Sequence, residues 1–282
     1  MSTPGSTTAG VPPQGPAPAP ESIGALFDDV AAPYHRIAEW MSRAPGLHEW
    51  LGSALAPGGR RAIDVGCGTG RFCPLLAEHY EEVLGVDVAD VMLDIGRRDH
   101  SRPNVRYEKR GAHDVTAERD GRFDLVFSYS AVFHMRPYDR ILPHLRSLLA
   151  PGGRLIVFEP ERNAGHERKG EDADWLTDVA FRNARTAYTM TGSVEAATDV
   201  LNLFFHPSWQ ELCRHSSVPS REEFREAFSS WFPGVEFVDG VVPAMVVARW
   251  QAPRTPAPPH TPTPGPTPAP ASTPPSPPPP TS

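Results

Sequence analysis

Between Ala62 and Phe72 a short apolar run meets an acidic residue and then glycine at every second position: Ala62-Ile63-Asp64-Val65-Gly66-Cys67-Gly68-Thr69-Gly70-Arg71-Phe72. Glycine adds no Cβ and tolerates positive φ, so such a turn brings backbone N–H groups close to a ligand. A helix that follows the turn points its positive N-terminal end at the same place. A second acidic residue, Asp87, ends the next apolar run, Glu82–Val86, about twenty residues past the turn. A carboxylate at that position can accept both hydroxyls of a ribose.

The spacing narrows the ligand. A dinucleotide-binding turn reads G-x-G-x-x-G, whereas here Arg71 takes the place of the third glycine. The Asp64–Gly70 string instead resembles motif I of the class I S-adenosylmethionine (SAM) dependent methyltransferases. In that family the turn holds the amino-acid end of SAM. The resemblance puts Gly66, Gly68 and Gly70 around that end, and Asp64 on the SAM ammonium, directly or through water. It puts Asp87 on the ribose, with Val88 and Met92 as apolar walls for the adenine; Met92 could equally pack a helix face. Relatives carry an aspartate and then an alanine after the third strand. This chain reads Gly111-Ala112-His113-Asp114. Either Asp114 takes over the adenine contact or it is lost, and Ala112 and His113 still offer backbone contacts. Phe27–Tyr34 resembles the segment before the fold proper, in which a tyrosine lies over the SAM pocket. Tyr34 is present but His35 follows it where relatives have aspartate, so Tyr34 is either a pocket residue or a core aromatic.

The elements that must position these residues follow a βα rhythm. Leu26, Phe27, Val30, Tyr34, Ile37, Ala38 and Met41 recur at helical spacing and predict an amphipathic helix over 22–43, interrupted near Pro33. Strands are predicted at Arg61–Val65, Glu82–Val86, Val105–Lys109 and Phe123–Ser128, with a first helix at Phe72–His79. The run Phe123-Asp124-Leu125-Val126-Phe127-Ser128 reads as a buried parallel strand and resembles the family's fourth-strand F-D-L-V signature. Ser128 joins the candidate cofactor-binding residues. Pro151-Gly152-Gly153-Arg154-Leu155 and the run to Glu159 resemble the family's turn and fifth strand. Ser220 and Glu223 form a capping box ahead of a last helix to Phe228, and Val235–Val241 and Ala244–Trp250 complete the strands. The expected fold is α/β: a Rossmann-like, seven-stranded, mostly parallel sheet with helices on both faces. The resemblance also implies a helical lid after strand five, over about 160–219. Tyr188, Met190, Phe204, Phe205, His206 and Trp209 would there face the acceptor, or simply pack the lid on the sheet.

Composition bounds the rest. Residues 1–20 carry no charge, and residues 251–282 carry fifteen prolines with Arg254 as the one formal charge. Such segments bury too little apolar surface to offset the entropy of ordering. Both are expected to be disordered, and Pro253-Arg254-Thr255-Pro256 fits a P-x-x-P pattern that so proline-rich a tail almost guarantees. The core domain is expected over 21–250. A net charge of −7 argues against nucleic acid as the main partner. No stretch is long and apolar enough for a membrane span, and the N-terminus has no signal-peptide pattern. Three cysteines without C-x-x-C spacing fit a reducing cytosol and give no metal site.

The reaction implied by the resemblance is transfer of the SAM methyl group to an O, N or C acceptor on a small molecule, such as an aromatic or quinone-like secondary metabolite. A histidine with a pKa near 6.5 would suit a general base. His134, at the ligand edge of strand four, is the first choice over His113, His166 and His206, and Glu159 could orient an acceptor or fix a loop. Two other classes compete. A nicotinamide oxidoreductase would share the sheet and the ribose acid but not Arg71 or the F-D-L-V and P-G-G signatures. A catalytically silent SAM-binding or scaffold protein, with Pro-rich docking tails, would share everything but turnover.

Overall fold

The computed structural model describes residues 20–42, 46–160, 173–216, 218–242 and 245–254. The two tails beyond Pro20 and Arg254, and His166, lie outside the described residues.

Seven strands form one sheet: β1 (Gly59–Val65), β2 (Tyr80–Asp87), β3 (Val105–Lys109), β4 (Phe123–Tyr129), β5 (Leu149–Pro160), β6 (Glu236–Asp239) and β7 (Met245–Gln251). Their order is β3-β2-β1-β4-β5-β7-β6. β1 to β5 run parallel, and β7 is antiparallel to both β5 and β6. The chain therefore walks outward from β1 to β3, then restarts on the other side of β1 with β4. Open α/β sheets bind ligands at such a reversal, beyond the carboxyl ends of the strands.

Both faces are covered, as a parallel sheet requires. Side chains alternate along a strand, so Ile63 and Val65 of β1 face one side, where they join Leu142 and Leu145 of α7 (Tyr138–Ser147) and Phe224 and Phe228 of α11 (Arg221–Trp231). Ala62 faces the other side, with Leu51 and Leu55 of α3 (Leu47–Leu55), Leu76 of α4 (Cys73–Ala77) and Leu93 of α5 (Asp90–Asp99). Each such aliphatic side chain stabilises the fold by about 1.5–3 kcal/mol. Arg154 of β5 locks α3 to the sheet: its guanidinium donates to the carbonyls of Ala54, Leu55 and Ala56, each at 2.8 Å, which are acceptors orphaned at the helix end. The short α6 (Ala117–Asp120) precedes β4.

A separate helical layer sits over the sheet's carboxyl edge. It combines α1 (Pro20–Asp29) and α2 (Ala31–Met41) with α8 (Ala173–Thr191), α9 (Val194–Phe204) and α10 (Pro207–His215). Val30, Ile37, Ala184, Ala187, Val200, Leu203 and Leu212 form its core. Ser208 Oγ donates to Asp29 at 2.7 Å, and Arg36 pairs with Asp199 at 2.7 Å. The helix expected over 22–43 is thus two helices, and the break falls at the buried Val30 rather than at Pro33. Pro33 lies in the first turn of α2, where its missing N–H is no loss. Among the described residues, the aromatics named above do not face the sheet edge as a group. Tyr188, Met190 and Phe205 are exposed, while Phe204 and Trp209 pack within the helical layer.

Candidate active site

A cavity of about 1410 Å³ opens at the carboxyl ends of β1, β2 and β4. Its floor is built by consecutive strand ends: Asp64 and the turn Gly66–Thr69 at the end of β1, Asp87 and Val88 at the end of β2, Gly111–Asp114 after β3, and Tyr129–Ala131, Phe133 and His134 at the end of β4. Its roof comes from elsewhere in the chain: Ile23, Phe27 and Asp28 of α1, Tyr34 of α2, and His215, Ser216 and Glu223 around the α10–α11 junction.

The turn after β1 shows why glycine is placed there. Gly66 has φ +70°, and a Cβ on it would lie 2.4 Å from the Ala131 Cβ, so only glycine lets the β1 and β4 loops approach. Gly68 has φ +53°, and a Cβ there would meet no atom within 4 Å, so the space beside its Cα is open. Gly70 is a correction to the sequence reading. It does not line the cavity; it faces Tyr107, whose hydroxyl a Cβ would approach to 2.4 Å.

Asp87 is fixed by backbone donors. Its Oδ2 accepts the Gly68 N–H at 2.8 Å and its Oδ1 accepts the Ala89 N–H at 2.9 Å. Burial raises its pKa, and these donors pull it back. Asp64 is 2 % exposed and accepts a hydrogen bond from the Cys73 thiol at 3.6 Å. Burial pushes its pKa up to about 7, with a further push from Asp87 against a pull from Arg71.

The remaining predicted residues divide. Val88, Ala112 and His113 line the cavity, as does Asp114, whose Oδ2 also holds the Gly111 N–H at 3.0 Å. Met92 and Tyr34 satisfy both readings: they line the cavity and pack with Ala31, Ala89 and Phe27. Ser128 is a second correction. It is fully buried, absent from the cavity wall, and its Oγ donates to the Val65 carbonyl at 2.7 Å. The period-2 alternation of β4 turns Ser128 away from the side that Tyr129 occupies. Its neighbour Ser130, with φ +56°, reaches the wall instead.

His134 lines the cavity on the 3₁₀ turn Val132–Met135. Its Nδ1 lies 2.6 Å from Ser216 Oγ, and its ring meets the edge of Phe27 at 5.4 Å. Burial lowers its pKa to about 4, well below the ordinary 6.5 expected of it, so the ring is neutral at physiological pH. Glu159 carries this turn: its Oε1 accepts the Val132 N–H at 3.1 Å, and burial pushes its pKa to about 8. His206 instead caps α10, accepting the Ser208 N–H at 3.3 Å. Sequence reasoning missed Phe27, Phe133, Ser216 and Arg71 as wall residues. Only Arg71 carried a signal, its place inside the glycine motif.

Residues 62–153 match the family model described as a methyltransferase domain. Over these residues the chain is similar to that methyltransferase domain. Among curated relatives, the chain is 32 % identical over 111 residues to the ubiquinone biosynthesis O-methyltransferase of Xanthomonas axonopodis pv. citri, covering 39 % of this chain and 46 % of that protein. It is 30 % identical over 143 residues to the trans-aconitate 2-methyltransferase of Deinococcus radiodurans, covering 50 % and 52 %. The chain thus spans about half the length of the curated relatives it matches. Among solved structures, the DhpI–SAH complex superposes with a TM-score of 0.55 at 18 % identity, over 83 % of this chain and 97 % of that one, a likeness of fold. The methyltransferase match covers the whole cavity floor and leaves out the helical layer on both sides of it.

Proposed function

We propose that this chain binds SAM on the cavity floor and moves its methyl group to a small-molecule acceptor beneath the helical roof. The observation that carries the reading is the convergence of Asp64, the open space beside Gly68 and Asp87 in one cavity at the β1/β4 reversal. The residues present fit the cofactor. Asp64 can meet an ammonium, the turn leaves room beside Gly68, Asp87 sits where a ribose needs a carboxylate, and Val88 and Met92 are apolar. At about 1410 Å³ the cavity exceeds the usual 300–1,000 Å³ of a single small-ligand pocket. That leaves room for an acceptor as well.

SAM supplies a methyl group already activated on a sulfonium, so the protein's main task is placement. Proximity and orientation can contribute roughly 7–11 kcal/mol. Phe27, Tyr34, Phe133 and Met135 form the wall nearest His134 and favour an apolar or aromatic acceptor. With its pKa near 4, His134 is a weak base, best matched to an already acidic hydroxyl such as a phenol or enol. That supports transfer to oxygen, in keeping with the O-methyltransferase name of the Xanthomonas relative.

Calorimetric titration tests the reading. SAM should bind with micromolar affinity and NAD should not. Asp87→Ala should weaken SAM binding by at least the ~1.5–3 kcal/mol of a charged hydrogen-bond partner. Wild-type affinity in that variant would refute the site.

A further inference from the structure

His100 joins three parts of the fold at one ring. It is the C-cap of α5, and its side chain is 13 % exposed. Its Nδ1 lies 2.6 Å from the carbonyl oxygen of Thr69, a cavity residue in the turn after β1. Its Nε2 lies 3.1 Å from Oε1 of Glu39, in the last turn of α2. A carbonyl and a carboxylate oxygen only accept, so both ring nitrogens must donate, and a ring that donates twice is an imidazolium. A proton on Glu39 instead gives the same count: the pair holds one proton more than a neutral ring and a carboxylate. The surroundings favour that charge. The carboxyl end of a helix is its negative end, and the nearby anions are Glu39 of α2 and Asp99 of α5. Arg98 of α5 is occupied by Asp99 at 2.8 Å. From β3, the Tyr107 hydroxyl donates to the His100 carbonyl at 3.1 Å. The other neighbour is His35 of α2, with ring centroids 5.8 Å apart. Burial lowers the His35 pKa, against a pull upward from Glu39 and Asp99, so this ring is neutral. Its Nε2 stands 3.4 Å from Asp99, and its Nδ1 is buried without a hydrogen-bond partner among the described residues.

Two ties therefore run from the turn after β1 to the last turns of α2. Arg71 donates to the Ala38 carbonyl at 2.8 Å, and a guanidinium keeps its protons at any working pH. The His100 bridge is different, because a histidine ring gives up its second proton near neutrality. A neutral ring can donate to Thr69 or to Glu39 but not to both. The helix so held carries Tyr34, which roofs the cavity. We propose that His100 is a proton-operated clasp that fastens α2 to the turn after β1 and frees the helix end when the ring loses a proton. What the clasp confines rests on the cofactor reading above: with the proton in place the roof stays over bound SAM or SAH, and without it the ligand leaves faster. The clasp acts on release from the complex, whereas Asp64 titrates in the empty site.

The test is amide hydrogen exchange at Trp40 and Ser42 of the unliganded full chain, with the stopped-flow rate of SAH release as a second readout, each at pH 7 and pH 9. In wild type, protection corrected for intrinsic exchange should fall about tenfold over that range, and SAH release should quicken to a similar extent. Glu39→Gln supplies the missing hydrogen from its amide. A neutral ring can then donate to Thr69 and accept from the amide, so both readouts should stay within about twofold of their values at pH 7. His100→Asn cannot span the two acceptors and should be loose at both pH values. The ammonium of SAH titrates in this range as well, so for release the comparison with Glu39→Gln decides. Equal wild-type protection at pH 7 and pH 9 overturns the proposal, and so does a Glu39→Gln variant that loosens as wild type does. SAH release that ignores a loosened α2 overturns its role in holding the ligand. A chain that binds no SAH removes the cofactor reading, while hydrogen exchange still decides the clasp.

Discussion

Lowering the pH from 7 to 5.5 should weaken SAM binding about fifteenfold. Asp64 has a pKa of about 7 in the unliganded fold, because burial penalises its charged form. Only the ionised carboxylate attracts an ammonium. Half of the chains carry it at pH 7 and about 3 % at pH 5.5, so apparent affinity falls by about fifteenfold, or ~1.6 kcal/mol. Asp87, also raised by burial, acts in the same direction. The window stays below the ~7.7–8 at which an α-amino group loses its own proton. Binding pulls the Asp64 pKa down, so nearly one proton should leave per SAM bound near pH 6. Titrations at that pH in two buffers of different ionisation enthalpy measure it directly. In Asp64→Asn the affinity should be lower at pH 7 and less dependent on pH. A wild-type affinity that is flat from pH 7 to 5.5, with no proton released, would refute the assignment of Asp64 to the ammonium.

Glu159 gives a stability prediction. Its pKa is about 8 in the fold against 4.5 when unperturbed, so the folded chain holds an extra proton between those values and loses stability as pH rises through them. Glu159→Gln keeps an acceptor for Val132 and should be no more stable than wild type near pH 5, then gain on it as pH rises through about 8, levelling off above. A melting-temperature difference independent of pH would sink this account. Turnover of a hydroxyl acceptor should fall about 10²-fold or more in His134→Ala if the imidazole takes the acceptor proton, with SAM affinity kept. Full turnover in that variant would remove His134 as base, and an inflection of the wild-type rate near pH 6.5 at saturating SAM, where Asp64 is already ionised, would contradict its lowered pKa.

The cavity floor was legible because each of its parts is local in sequence. The strand ends at Asp64 and Asp87, the glycine turn and the F-D-L-V strand each declare themselves within about ten residues, and the sheet order follows from the βα rhythm. Ser128 was legible too: counting alternation from Leu125 and Phe127 places it on the opposite face of β4. The roof was not legible. It depends on contacts such as Ser208 with Asp29 and Arg36 with Asp199, more than 160 residues apart, which no local pattern records. The exposure of Tyr188 and Phe205 follows from the same blindness, since aromatic composition does not say which way a helix is turned. The acidity of His134 was out of reach for a related reason: Phe27 and Ser216, which enclose its ring, come from the two ends of the fold.

The division between floor and roof bears on how such a protein changes over evolutionary time. The floor is one contiguous stretch, and it falls within the methyltransferase match at 62–153. The roof is assembled from two distant segments, 20–41 and 173–223, that pack mainly on each other. Exchanging those two segments together would carry their shared apolar core intact and leave the cofactor contacts of the floor in place. Under the proposed function the acceptor would be a replaceable part: a lineage could acquire a new substrate by trading its roof while keeping its floor.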